Sequence, residues 1–148
     1  MISPELLRRF CYFAGVSDES LKQVAMISEA KTFQAGDVLF QAEETADTLY
    51  IVTHGEVDIQ SVRADGELKS VDTLVGGDLM VWSAVVGPHR THFAGVARQE
   101  TRAIAIDGRK LRKLCEKDPK LGFRLMTEVA QAVTHRLEGA QVQLAAVD

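Results

Sequence analysis

Between residues 30 and 106 this chain cannot sustain a helix. Turn-forming groups recur at Ala35-Gly36-Asp37, His54-Gly55, Ala64-Asp65-Gly66, Gly76-Gly77-Asp78 and Gly87-Pro88. Glycine reaches positive φ without steric cost and proline withholds an amide hydrogen, so each group marks a place where the backbone reverses or breaks. The runs between them, at 38–40, 49–53, 56–62, 68–74, 92–97 and 102–106, are short and mostly rich in aliphatic or β-branched residues. Short strands separated by frequent turns predict an antiparallel sandwich or roll.

On either side of this region the hydrophobic period becomes helical. Ser3-Pro4-Glu5 supplies an N-cap followed by proline at the first helical position, and Leu6, Leu7, Phe10 and Phe13 recur at helical spacing. A second short helix opens at Ser17-Asp18-Glu19-Ser20, with Leu21, Val24 and Ile27 on one face. Asp107 caps a short helix through Leu111, Leu114 and Cys115. Asp118-Pro119 then restarts a helix that reaches about Ala146. The fold class expected is mainly β with flanking helices: an antiparallel, jelly-roll-like β-roll, two short N-terminal helices and a long C-terminal helix. It is read as one domain over 1–148, with N-terminal helices at 1–29, the roll at 30–106 and C-terminal helices at 107–148.

In the last helix, Met126, Ala130, Val133, Leu137, Ala140 and Leu144 alternate spacings of four and three, the repeat of a coiled coil. Leu121, Leu125 and Val129 form a neighbouring stripe that serves the chain's own core. The first set is therefore expected to form a homodimer seam.

Composition narrows the function classes. The chain's 148 residues, 46% hydrophobic and 26% charged, suit a single core. Its longest apolar runs fall well short of the roughly 20 residues of a membrane span, and the N-terminus lacks the order of a secretory signal. A cytoplasmic address and no membrane partner are expected. A net charge of −4 offers no general attraction to nucleic acid. Cys11 and Cys115 give no disulfide or metal framework and are expected to be buried or half-buried thiols.

The segment FQAGDVLFQAEETADTLYIVTHGEVDI, from Phe33 to Ile59, resembles the first half of the cyclic-nucleotide-binding domains found in catabolite-activator-type regulators, protein kinase A regulatory subunits and cyclic-nucleotide-gated channels. The resemblance covers about residues 5 to 145. It implies a ligand-sensing β-roll without cofactor or catalytic machinery, with a cyclic nucleotide as the candidate ligand. The family's phosphate-binding cassette lies between two strands and begins with Gly-Glu and a short helix. It later carries Pro-Arg, a small residue and Ala. Backbone amides at the helix start cradle the cyclic phosphate, Arg forks onto its oxygens, and Glu accepts from the ribose hydroxyl.

Residues 76–94 keep the frame of that cassette with altered side chains. Gly77 matches its glycine, and Asp78 replaces Glu, shorter by one C–C bond of about 1.5 Å. Leu79 follows, Met80 replaces Ala, and Trp82 has no usual counterpart. Alignment from the following strand places His92 in the slot of the phosphate-binding Arg; alignment from Pro88 brings His89 there, with Arg90 beside it. Gly77, Asp78, Leu79, Met80, Trp82, His89, Arg90, Thr91, His92 and Phe93 are the candidate ligand-binding residues. Asp78 also has the bland reading of a helix cap, and Trp82 that of a core aromatic. With His in place of Arg the bidentate fork is lost, so weak or absent binding of cyclic AMP is expected at neutral pH.

Two other classes are weighed against this one. A degenerate roll, its pocket collapsed around Trp82 and Met80, would serve as a protein–protein interaction module. A cupin-like metalloenzyme would use His54, Glu56, His89 and His92, but their spacing lacks the His-x-His pair and later ligands of such a site. Regulators of the resembling family continue beyond the long helix into a helix-turn-helix domain. This sequence stops at Asp148, so no direct DNA contact is expected, and the output partner is an unidentified protein.

Overall fold

A computed structural model describes residues 1–147. Helix α1 (Pro4–Arg8), a 3-10 turn (Cys11–Phe13) and α2 (Asp18–Met26) precede the strands β1 (Ser28–Phe33), β2 (Val38–Phe40), β3 (Thr48–His54), β4 (Glu56–Val62), β5 (Leu68–Val75) and β6 (Leu79–Met80). After a second 3-10 turn (Trp82–Ala84) come β7 (Ala94–Ala97), β8 (Thr101–Asp107), α3 (Gly108–Lys117) and α4 (Pro119–Ala145). Two four-stranded sheets form, ordered β1-β8-β3-β6 and β2-β7-β4-β5, and their strand pairs are antiparallel. This is the β-roll with flanking helices expected from the periodicity.

The centre of the first sheet, β8 and β3, is covered on both faces. Leu49 and Ile51 of β3, with Ile104 and Ile106 of β8, pack against Leu7, Phe13, Leu21, Val24, Leu111, Leu121 and Leu125 from the helices. Strand side chains alternate, so Tyr50, Val52, Ala103 and Ala105 face the second sheet. The large residues of β8 thus lie on the helical side and the small ones inside the roll. This explains why LYIV and AIAI are continuous apolar runs: a strand buried on both faces has no solvent side to mark with polar residues.

Three expectations are corrected. Strand β1, SEAKTF, carries no apolar alternation and is largely exposed; its order comes from six pairings with β8, from Ser28↔Ile106 to Phe33↔Thr101. The strand expected at 92–97 starts at Ala94. The cassette helix is reduced to one 3-10 turn, because Leu79 and Met80 instead pair with Ile51 and Tyr50 of β3. Among the glycines, Gly55 at φ +97 lies where a Cβ would come within 2.5 Å of the Glu100 carbonyl, so the β3–β4 turn excludes a side chain.

The helix ends are capped as the sequence indicates. Asp107 accepts from the Lys110 amide at 3.1 Å. Asp118 accepts from the Leu121 amide at the start of α4 and from the Ser20 hydroxyl of α2. The Ser20 hydroxyl first, and the Leu121 amide second, hold the Asp118 carboxyl below its ordinary value. The charged form is therefore favoured by folding: its contribution is complete at neutral pH and disappears as pH falls through the lowered folded-state value. Asp118→Ala is expected to lower stability by about 1 to 2 kcal/mol near neutrality, as for loss of an N-cap. In thermal melts recorded against pH, the gap to the parent should close on the acid side of the ordinary carboxylate range.

Candidate functional site

The turn Gly76-Gly77-Asp78 joins β5 to β6 and is tied to both ends of the chain. The Gly77 amide donates to the Val52 carbonyl at 2.7 Å, while the Gly77 carbonyl accepts from the Tyr12 hydroxyl at 2.9 Å. Burial, foremost, pushes the Tyr12 phenol up to about 12, so it stays a donor at any physiological pH. Asp78 is not a helix cap. Its Oδ2 accepts from the Val75 amide at 2.8 Å and lies 2.9 Å from Nη2 of Arg136 on α4. The other guanidinium nitrogen, Nη1, lies 3.1 and 3.3 Å from the two carboxylate oxygens of Asp72 on β5. Arg136 thus fastens the long helix to the second sheet and to the cassette turn.

Beneath this crossing lies a cavity of about 290 Å³. Phe40, Ile59 and Leu74 of the second sheet form its floor, Met80, Val81, Trp82 and Phe93 its cassette wall, and Arg136 and Ala140 of α4 its roof. Val81 lies at φ 60, ψ 51, a left-handed conformation costly for a β-branched side chain. That reversal lets the chain leave strand β6 and carry Trp82 along the cavity wall. Gly95 of β7 sets the position of Phe40, since a Cβ there would meet the ring at 2.3 Å.

The polar residues of the cassette separate into two groups. Thr91 is buried; its hydroxyl donates to the Gln41 carbonyl at 2.6 Å and accepts from the Glu44 amide at 3.1 Å, anchoring the cassette to the β2–β3 loop. His92 stands on the cavity rim with Nδ1 3.7 Å from Glu43 Oε1. The other two basic residues turn away. Arg90 donates to the Glu43 carbonyl at 2.7 Å and lies 3.5 Å from its carboxylate. His89 places Nδ1 2.7 Å from the Ser83 carbonyl and 3.5 Å from Arg112 Nη1.

The model of the cyclic nucleotide-binding domain family matches residues 30–118. The chain belongs to that family. It is 25% identical over 131 residues to the HTH-type transcriptional regulator Cmr of Mycobacterium tuberculosis, covering 88% of this chain and 52% of the regulator. It therefore spans about half the length of that curated relative. Among solved structures it is similar to a Geobacter metallireducens protein described as cyclic nucleotide-binding, with 36% identity, a TM-score of 0.83, and coverage of 93% of this chain and 99% of the other. It also shares its fold with the sensor domain of the transcriptional regulator DNR from Pseudomonas aeruginosa, at 15% identity, a TM-score of 0.74 and 90% coverage of each chain.

Within this cyclic nucleotide-binding domain, the cavity gathers Met80, Trp82, Thr91, His92 and Phe93 of the candidates named from sequence. Leu79 is instead buried on the helical side of the first sheet, and Gly77 acts through its backbone. His89 and Arg90 lie outside the cavity lining, because Ser83, Arg112 and Glu43 hold them. Asp72 and Arg136 were missed. They lie 64 residues apart in sequence, and nothing local marks either as polar residues of a shared site. Among the described residues no group of three or more His, Cys, Asp or Glu is placed to hold a metal ion.

The seam expected on α4 divides. Met126, Ala130, Leu137 and Leu144 are exposed, Leu144 at 74%. Val133 packs against the domain's own core, while Ala140 is exposed at the edge of the cavity. The two thiols differ as well: Cys115 is half-buried, and burial raises it to about 11, whereas Cys11 is exposed.

Gly95→Ala is expected to push the Phe40 ring into the cavity, because the backbone of β7 is held between β2 and β4 and the ring is the freer partner. Overpacking of this kind costs about 1 to 3 kcal/mol. Thermal melts should show that loss, and a crystal structure of the variant should show the cavity diminished with the rest of the roll in place.

Proposed function

We propose that this domain is a regulatory small-molecule sensor whose ligand, a cyclic nucleotide or a related anion, occupies the cavity between the second sheet, the cassette at 76–94 and α4. The observation that carries this reading is the cavity itself: it stays open beside Trp82 and Met80 and is roofed by a helix that continues past it. Its volume of about 290 Å³ is at the lower end of small-ligand clefts, about 300 Å³ and upward. A collapsed interaction module would have Trp82 filling this space. Membership of the cyclic nucleotide-binding domain family and likeness to parts of transcription regulators support a sensory rather than catalytic role.

The whole of 1–148 acts in this reading as one sensing unit in the cytoplasm; no helix among the described residues is long and apolar enough to cross a membrane. Output passes through α4 to a second copy and from there to a protein partner. The exposed stripe of Met126, Leu137 and Leu144, joined by Phe123 at 75% exposure, is the surface for that second copy. Within the cavity His92 takes the polar part of the ligand and Trp82 and Phe93 its flat apolar part, while Asp78 lies outside the lining and reaches the site through Arg136.

The displaced cassette arginine argues for weak binding of cyclic AMP. Losing a charged hydrogen bond costs about 1.5 to 3 kcal/mol, roughly ten- to a hundredfold in affinity. Thermal-shift screening against cyclic mononucleotides and cyclic dinucleotides, followed by calorimetry, should find a ligand that raises the melting temperature with the logarithm of its concentration and binds more tightly than cyclic AMP. Submicromolar affinity for cyclic AMP would contradict the placement of Arg90 outside the site. Light scattering should report a dimer that Leu137→Arg with Leu144→Arg converts to monomer; a monomeric parent would remove the dimeric part of the reading.

A further inference from the structure

We propose that Arg136 is the residue that binds the ligand's anionic group, and that it does so by exchanging Asp72 and Asp78 for the ligand's oxygens. This rests on the reading of the cavity as an anion-sensing site, and it assigns the charge contact to the roof helix instead of the cassette.

The assignment follows from the cations available. Of the residues lining the cavity, only Arg136 carries a permanent positive charge. Arg90 is held by Glu43 outside it, and the His92 ring shares that same glutamate. A guanidinium offers a planar pair of donors that matches two oxygens of a phosphate or carboxylate. Here both edges are already engaged by carboxylates, and one cation facing two carboxylates leaves the cluster net negative. An anion can therefore enter only by replacing them.

The surroundings permit that replacement. The Arg136 side chain is only 22% exposed, so it needs a counter-ion at all times. Its two partners do not depend on it: Asp78 keeps the Val75 amide, Asp72 keeps the Thr73 amide, and both carboxylates reach solvent. Exchange leaves no charged group buried alone. Away from Arg136 the lining is chiefly aromatic and aliphatic, with Phe40, Ile59, Trp82 and Phe93 among it. The ligand class that fits is a compact, flat apolar body bearing one phosphate or carboxylate.

Competition between ligand and carboxylates makes an unusual demand on mutants: removing one competitor should tighten binding. Calorimetry with cyclic AMP and cyclic GMP, and with adenosine and guanosine as uncharged controls, on the wild type, Arg136→Gln, Arg136→Lys and Asp72→Asn tests this. Asp72→Asn is expected to bind the cyclic nucleotides about tenfold more tightly, a gain that misfolding cannot produce. Arg136→Gln should bind them about 10- to 100-fold more weakly, with Arg136→Lys between, and the nucleosides should be indifferent to all three changes. Cyclic nucleotide binding that is unchanged in both Arg136→Gln and Asp72→Asn, or nucleoside affinities that move in parallel, overturns the proposal and leaves the sensing role intact. Absence of cyclic nucleotide binding in every protein, Asp72→Asn included, overturns the proposal and removes cyclic AMP and cyclic GMP as ligands, whereas the sensing role then stands or falls on the thermal-shift screen.

Discussion

The pairing of β3 with β8 carries this molecule. Their register, from Thr48↔Asp107 to His54↔Arg102, joins two segments about fifty residues apart in sequence and places one apolar face toward the helices and the other toward the second sheet. Both cores depend on it. The helical core takes Leu49, Ile51, Ile104 and Ile106, and the inner core takes Tyr50, Val52, Ala103 and Ala105. Antiparallel strands lie about 4.8 Å apart, and stacked sheets pack about 10 Å apart, so these two strands set where each other layer can lie. Small residues on the inner face of β8 keep that layer thin.

The cassette is shaped by the same pair. Leu79 and Met80 join β3 as a short edge strand, which removes them from helix formation and forces the reversal at Val81. The amides of a cassette helix, which would face an anion in the resembling family, are thereby engaged or redirected. The arginine that lines the cavity is instead Arg136, delivered by α4. The Gly77-Asp78 turn sits between Tyr12 on one side and Arg136 on the other, so the N-terminal helical segment, the cassette and the C-terminal helix meet within two residues.

The residues that sequence reasoning placed well are those whose signal is local. The caps Ser17, Asp107 and Asp118, the turn at Gly55 and the apolar runs of β3 and β8 were legible because backbone conformation and burial are encoded within a few neighbours. Strand β1 was missed because an edge strand with only Ser28 buried carries little of the alternation by which strands are read; it is ordered by β8, far away in sequence. Val133 shares the heptad spacing of Leu137 and Leu144, yet it packs against its own domain's core. Periodicity defines a stripe on a helix but not what the stripe meets.

Sequence by itself determined the class of fold and the family, since turn chemistry, hydrophobic period and the spacing of glycines with aliphatic residues depend only on local covalent geometry and on what must leave water. It also marked the cassette as altered, without deciding whether Arg90 or His92 takes the place of the usual arginine. Only the tertiary structure decided which cation faces the cavity. Arg136, Asp72 and Asp78 come from a helix, a strand and a turn, and the attraction between their charges becomes strong only when folding brings them within about 3 Å in partly dehydrated surroundings.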